Sequence, residues 1–371
     1  MKINKPAVRT KPIDFILFST VMLLVAIGVV MVYSASSYSA FFNTAIKDST
    51  YFLKKQGVAA IIGVVFMFIT IKMDYHKIRK YTTILMIITV VLLALVLAFQ
   101  PVNGATRWIQ LGPLSFQPSE IAKYIVVIFM AKSISKKGEK IKTFTYGILP
   151  YIITSGFYAG MVFIEKNLSI AAVIMLVTLI VLYISGAKTS HILGLIGLVV
   201  LLGVAGIILE PYRMARFTSF LDPWKDPKKD GYQLIQSLLA LGSGGIWGMG
   251  LGRSRQKCYY IPEPHNDFIF SIIGEELGLI GCTLIVVLFI VFIWRGIVTS
   301  VKASDTYGTL LAAGITSVIA IQAIINIAVV TGAMPVTGVP LPFISYGGSS
   351  LVINLVAVGV LLNISRQKTD T

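Results

Sequence analysis

Apolar runs closed by charged or polar positions recur along the whole chain. Ten of them read as helical membrane spans: residues 14–34, 57–71, 81–99, 120–131, 146–164, 168–184, 191–209, 268–294, 309–330 and 348–363. A bilayer core takes roughly 20 residues of helix, so the second and fourth runs are short. Either polar residues extend their ends, or the fourth is lined by protein rather than lipid. Lys2, Lys5, Arg9 and Lys11 precede the first run, as in a secretory signal, but the run has no early small-residue cleavage site and reads as an uncleaved first span. The expected fold is an all-α integral membrane protein, a single polytopic domain over residues 1–371 with about ten transmembrane helices.

Composition agrees with that pattern. The 371 residues are 56% hydrophobic and 13% charged, against roughly 25% charged in an average soluble domain. Disordered and fibrous classes are excluded. Cys258 and Cys282 supply no disulfide framework and match no zinc or redox spacing.

Charge then sets the expected orientation. Lys and Arg number 32 against 16 Asp and Glu, a net charge of +16, and basic residues are retained on the cytoplasmic side. With both termini inside, the inner segments hold 18 basic residues, including Lys72, Lys77, Arg79 and Lys80 and the run Lys132, Lys136, Lys137, Lys140 and Lys142. The outer segments hold 13, of which 8 fall in one long segment, residues 210–267. Long loops weigh little in this rule. Both termini are therefore expected in the cytoplasm and the long loop outside.

That loop contains Leu221-Asp222-Pro223-Trp224-Lys225-Asp226-Pro227-Lys228-Lys229-Asp230, a Pro and charge cluster that favours turns. Next, Leu234, Ile235, Leu238 and Leu239 stand at helical spacing within Tyr232 to Leu241 and predict an interfacial helix. The glycine-rich stretch from Gly242 to Gly252 follows no strand, which makes it a poor phosphate loop; close packing or a hinge is the expectation.

Ionisable groups at span edges are costly and hence functional candidates. Glu120 and Lys123 lie three apart and can share a helix face, either neutralising each other for burial or presenting Lys123 to a substrate. Glu275 and Glu276 point different ways around their helix, so at least one needs a partner or a wet cavity. Asp267 directly precedes an apolar run, where Asp is a good N-cap. Arg213, Arg216, Lys225, Lys228, Lys229, Arg253, Arg255 and Lys257 make the outer loop basic; that suits lipid headgroups or an anionic lipid-linked substrate. No soluble basic module points to nucleic acid. Three histidines exclude a His-rich metal site, although His265 and Asp267 could share a divalent ion with another acid.

Four blocks in order make the chain resemble the SEDS family, which contains FtsW, RodA and SpoVE. They are Gly104-Ala105-Thr106-Arg107-Trp108-Ile109 with Phe116-Gln117-Pro118-Ser119-Glu120 and Lys123; Asp222-Pro223 to Gly231-Tyr232-Gln233 with Gln236-Ser237; Pro262-Glu263 to Asn266-Asp267-Phe268-Ile269-Phe270 with Glu275-Glu276-Leu277-Gly278; and Gly338 to Ser350 through Pro340-Leu341-Pro342-Phe343-Ile344-Ser345-Tyr346-Gly347-Gly348. Pro223 to Pro227 and Leu251 to Lys257 lean toward the FtsW and SpoVE members. The resemblance implies a peptidoglycan glycosyltransferase of the bacterial cytoplasmic membrane that polymerises lipid II at the outer face. It also implies a class B penicillin-binding protein as partner and Asp267 as the essential carboxylate. On that reading Asp267 is the general base. Arg107, Lys123, Arg213 and Arg216 are candidates for the diphosphate, Trp108 for a sugar or lipid neck, and Glu120, Gln233 and Ser345 for further substrate contacts. A divalent cation, Mg²⁺ or Mn²⁺, is an alternative source of positive charge. Two stretches depart from the family pattern and carry no role over: Glu165-Lys166-Asn167-Leu168-Ser169 replaces a Gln-Pro-Asp-Leu-Gly type motif, and Thr337 stands where some FtsW members have Lys. The alternatives are a lipid II flippase using Gln322, Asn326 and Asn354, or a noncatalytic scaffold. Whether division, elongation or sporulation is served is not legible in the residues.

Overall fold

The apolar runs become helices because a backbone in lipid must satisfy its own hydrogen bonds. The computed structural model describes residues 12–100, 105–111 and 114–367. In chain order these form α1 (Phe15–Phe42), α2 (Tyr51–Lys72), α3 (His76–Val96), the hairpin β1 (Ile109–Leu111) and β2 (Leu114–Phe116), α4 (Pro118–Ile134), α5 (Leu149–Ile164), α6 (Leu168–Ile184), α7 (Thr189–Ile208), α8 (Pro211–Leu221), α9 (Tyr232–Gly244), α10 (Ile269–Val301), α11 (Thr306–Val330) and α12 (Gly348–Arg366). The basic residues Lys2, Lys5, Arg9, Lys11 and Lys368 lie outside the described residues.

Among the described residues eight helices are long and apolar enough to cross a membrane: α1, α2, α3, α5 with its leading turn from Phe144, α7, α10, α11 and α12. The remaining two expected spans are α4 and α6, 17 residues each, which is about 25 Å of helix. The short second run is extended at its polar end to Tyr51. The short fourth run is a helix lined by protein: α4 packs against α3, α5, α6, α11 and α12, and buries 12 of its residues. Burial separates centre from rim, with 67% of the span residues of α11 and α12 buried against 17% for α3 and α7. Polar ties lock the ends. Arg295 of α10 grips Asp14, whose Oδ1 also caps α1 at Leu17 N. The Asn363 side chain of α12 accepts from Tyr75 N and donates to Ile71 O across the α2–α3 turn.

The segment between α7 and α10 holds two helices. The expected one is α9; the other, α8, buries none of its residues and was not legible in the apolar pattern. Between them the Pro and charge cluster forms a short 3-10 turn at Pro223–Lys225 followed by further turns. The glycine-rich stretch is close packing. A Cβ on Gly244 would stand 1.9 Å from Gly274 O, and one on Gly248 2.2 Å from Glu276 O. Gly278, at φ 66°, interrupts α10, and the freed backbone groups are taken up by this stretch. Met249 N donates to Glu275 O at 2.9 Å, Gly250 N to Glu276 O at 3.0 Å, and Leu279 N to Gly245 O at 2.9 Å.

Candidate active site

Asp267 stands in the turn that feeds α10. The helix begins at Ile269 with Phe268 in the capping position and no side-chain cap bond, so the local capping role open to Asp267 is not used. Its backbone is pinned from two sides. Asn326 Nδ2, from α11, donates to Asp267 O at 2.8 Å and to Val339 O at 2.7 Å. Ser345 Oγ donates to Asn266 O at 2.8 Å while accepting from Leu341 N at 2.8 Å, and Tyr346 N donates to His265 O at 2.9 Å. Gly338, at φ 75°, passes so close that a Cβ there would meet Asp267 Oδ2 at 3.2 Å.

These segments enclose a cavity of about 320 Å³, whose wall includes Asp267, Glu263 and Asn266 together with Arg216 from α8, Gln233 from α9, and Val336 and Gly338 from the turn after α11. Among the described residues none donates a hydrogen bond to the Asp267 carboxylate. Burial is the largest influence on it and pushes its pKa up to about 6; Arg216 and Arg107 pull it down, and Glu263 pushes it up. His265, its ring 4.3 Å from Phe52 and 5.4 Å from Tyr346, is pushed down to about 4 by burial and is therefore neutral.

The arginines around Asp267 are held by carbonyl oxygens rather than carboxylates. Arg216 Nη1 donates to Val336 O at 3.2 Å, with its guanidinium 4.6 Å from the Tyr212 ring. Arg107, close enough to feel the charges of Asp267 and Arg216, donates to Glu165 O at 3.4 Å and to Lys166 O. Carbonyls fix the guanidinium groups without cancelling their charge, which leaves that charge for an anion. Arg213 is held in the same manner, on Gly206 O at 2.9 Å and 4.8 Å from the Phe163 ring; of the three arginines Arg216 is the one on the cavity wall.

Other sequence candidates lie elsewhere. Lys123 Nζ donates to both Glu120 oxygens at 2.9 Å, and Ser350 Oγ donates to Glu120 Oε2 at 2.7 Å, a buried pair outside the cavity. Trp108 is half-buried just before β1 and Ser345 supports the Asn266 backbone; neither lines the cavity. Glu275 accepts from Ser254 Oγ and from Arg255 N at 2.9 Å, while Glu276 accepts from Lys257 Nζ at 2.8 Å and Ser34 Oγ at 2.6 Å, so both acids find protein partners. The two stretches that depart from the family pattern meet, Ser169 Oγ donating to Thr337 O at 2.8 Å. Glu165 is fully buried with neither carboxyl oxygen bonded; burial raises it to about 8, against the pull of Arg107, so it is neutral at pH 7. Among the described residues no group of three His, Cys, Asp or Glu side chains is placed to hold a metal ion, and the packed His265 ring does not join Asp267 in one. Asp267 and Glu263 are two carboxylates on one cavity wall, too few for a closed protein cation cage but the number that holds a Mg²⁺ shared with a phosphate group.

Two contributors are not assigned a role by the sequence. Asn326 reads there only as a polar residue at mid-span, its amide in an otherwise apolar helix being the available signal. Glu263 belongs to the Pro262-Glu263 motif, but nothing in its spacing brings it to the same cavity wall as Asp267.

The site so described can take a proton at one carboxylate and neutralise an anion at two arginines. Comparison with known proteins gives that arrangement its context. A family model described as cell cycle protein, of the FtsW, RodA and SpoVE group, matches residues 14–370. Stage V sporulation protein E of Bacillus subtilis is 47% identical over 96% of this chain and 98% of its own. A protein named probable peptidoglycan glycosyltransferase FtsW, from Geobacter sp. strain M18, is 43% identical over 96% of this chain and 98% of its own. Among solved structures, a chain from work on structural coordination of polymerization and crosslinking by a peptidoglycan synthase complex superposes with a TM-score of 0.78 at 27% identity, covering 97% of this chain and 99% of the other. The rod shape determining protein RodA of Thermus thermophilus gives 0.70 at 26% identity, covering 97% and 98%. With its multi-pass helical fold and nearly full-length match, this chain belongs to the FtsW/RodA/SpoVE family of membrane proteins.

Proposed function

We propose that this protein is a peptidoglycan glycosyltransferase that polymerises lipid II into β-1,4 glycan strands at the outer face of the bacterial cytoplasmic membrane, with Asp267 as general base. The carrying observation is the unbonded Asp267 carboxylate on a cavity wall beside Arg216, a cation held by a carbonyl.

In the proposed reaction a sugar hydroxyl oxygen attacks the anomeric carbon of a diphosphate-linked sugar. The bond from that carbon to the phosphate oxygen breaks with inversion, and its electron pair leaves on the diphosphate. The hydroxyl proton passes to Asp267, whose pKa near 6 leaves it ionised at neutral pH yet basic enough to accept. Arg216 and Arg107 neutralise the departing diphosphate, a fixed positive field that needs no reorganisation. Asp267 and Glu263 are the carboxylates that would hold a Mg²⁺ or Mn²⁺ together with the diphosphate, and such an ion would supply further positive charge to the leaving group.

The flippase reading has less support. Two of its three mid-span polar residues are committed to internal bonds: Asn326 to Asp267 O and Val339 O, and Asn354 Oδ1 to Tyr124 OH at 2.7 Å. Gln322 is buried with no protein partner. As partner we propose a class B penicillin-binding protein, on the strength of the polymerization and crosslinking complex among the structural relatives.

The test is purified full-length protein with labelled lipid II, with and without a class B penicillin-binding protein. Asp267→Asn is expected to lower glycan formation by at least about 100-fold while the melting temperature holds, because no hydrogen bond of the fold uses that carboxylate. Equal polymerisation by Asp267→Asn, or lipid transport with no polymer under any condition, overturns the reading.

A further inference from the structure

A second and larger cavity, about 810 Å³, shares no lining residue with the Asp267 cavity. It lies between the C-terminal half of α1 and the loop before α10, which places it at the same end of the bundle as Asp267. One wall is aromatic. Tyr38 stands 4.8 Å from Phe42 and 5.6 Å from Tyr259, Phe41 is 5.1 Å from Phe42, and Phe41 and Phe42 are each 57% exposed.

The polar side of this cavity is built. Lys257 Nζ, buried, donates to Glu276 Oε1 at 2.8 Å and to Ser34 Oγ at 3.3 Å, and Ser34 Oγ donates to Glu276 Oε2 at 2.6 Å. Glu275 is saturated by Ser254 Oγ and by the N–H groups of Arg255 and Gln256. Both nearby acids are thus spent inside the protein. Arg253, on the cavity wall, is exposed, and its guanidinium has no carboxylate or hydrogen-bond partner among the described residues. The hydroxyls of Ser37 and Ser49 share that wall.

An uncompensated cation beside an exposed aromatic wall at a membrane boundary matches one ligand class. A neutral headgroup would leave the Arg253 charge unused, and a soluble anion would leave the aromatic wall wet. We propose that this cavity binds a lipid with a net-anionic phosphate headgroup, its aliphatic chain on Tyr38, Phe41 and Phe42 and its phosphate at Arg253. The lipid comes either from the bilayer, as an anionic phospholipid, or from the transfer reaction, as the released polyprenyl diphosphate; only the second source rests on the polymerase reading above.

Native mass spectrometry of the full chain with phosphatidylglycerol, a polyprenyl diphosphate or phosphatidylcholine tests the proposal. The expected result is about fivefold greater retention of one or both net-anionic lipids than of zwitterionic phosphatidylcholine. Arg253→Gln reduces that preference to near parity and Arg253→Lys keeps most of it, both with unchanged melting temperature because the Arg253 side chain makes no hydrogen bond among the described residues. Phe41→Ala with Phe42→Ala weakens retention of every lipid, and Lys228→Gln, a basic residue outside the cavity, changes nothing. Selective retention of phosphatidylglycerol assigns the site to bilayer lipid and selective retention of the polyprenyl diphosphate to the released carrier; either sustains it. Parity in the unmodified protein overturns the proposal, as does Lys228→Gln acting as strongly as Arg253→Gln.

Discussion

As the proposed general base, Asp267 has to meet two demands that usually conflict: ionised to accept a proton and basic enough to hold one. Burial raises it to about 6 and the arginines limit the rise. Below that value the carboxyl is protonated and cannot act, so polymerisation should climb about tenfold per pH unit up to pH 6 and then level. Arg216 lowers the Asp267 pKa, so Arg216→Gln should move the acid limb of kcat/KM to higher pH and cut its plateau by about tenfold or more. A pH profile from 4.5 to 8.5 reads both effects, and an acid limb that stays in place would show that Arg216 does not act on this carboxylate. Asp267 was legible in the sequence because a motif carried it. Glu263 was not, because its closeness to Asp267 depends on a left-handed turn, φ 44°, that no spacing encodes.

At the scale of elements, the site depends on how the loop between α7 and α10 is clamped to the interrupted helix. Gly244 meets the Gly274 carbonyl, and no side chain fits between them. Gly244→Ala should therefore destabilise the protein by about 1–3 kcal/mol or more through overpacking and weaken lipid II turnover by shifting α9, which carries Gln233. Thermal unfolding in detergent checks the first effect, and an unchanged melting temperature would mean that the two backbones separate at little cost. The α9 helix was readable from Leu234, Ile235, Leu238 and Leu239. The α8 helix, which carries Arg213 and Arg216, was not, since it buries nothing and so imposes no apolar stripe on its sequence.

Across the whole molecule, α4 sits among five other helices and brings a charged pair into the interior. Lys123→Met alone should cost about 3–5 kcal/mol by stranding Glu120, whereas Glu120→Leu with Lys123→Met should recover most of that loss. Melting temperatures of both variants decide it: a double variant less stable than the single one would point to a role for the pair beyond neutralisation. Orientation is testable on the same scale. In a chain freed of Cys258 and Cys282, Lys225→Cys should react with an impermeant maleimide in intact cells, and Lys136→Cys only after lysis. The reverse pattern would invert the topology.

The sequence by itself determined the spans, the expected orientation and the motif bearing Asp267, because each rests on residue type and local spacing. Lipid selects apolar helices one at a time, and basic residues act through their number on each side. Only the tertiary structure decided that Arg216 and Arg107 stand by Asp267 while Lys123 turns inward to Glu120, and that Asn326 pins the turn bearing Asp267. Those outcomes depend on which helices pack together, and residues as distant in the chain as Arg107, Arg216 and Asp267 become neighbours only when the bundle closes.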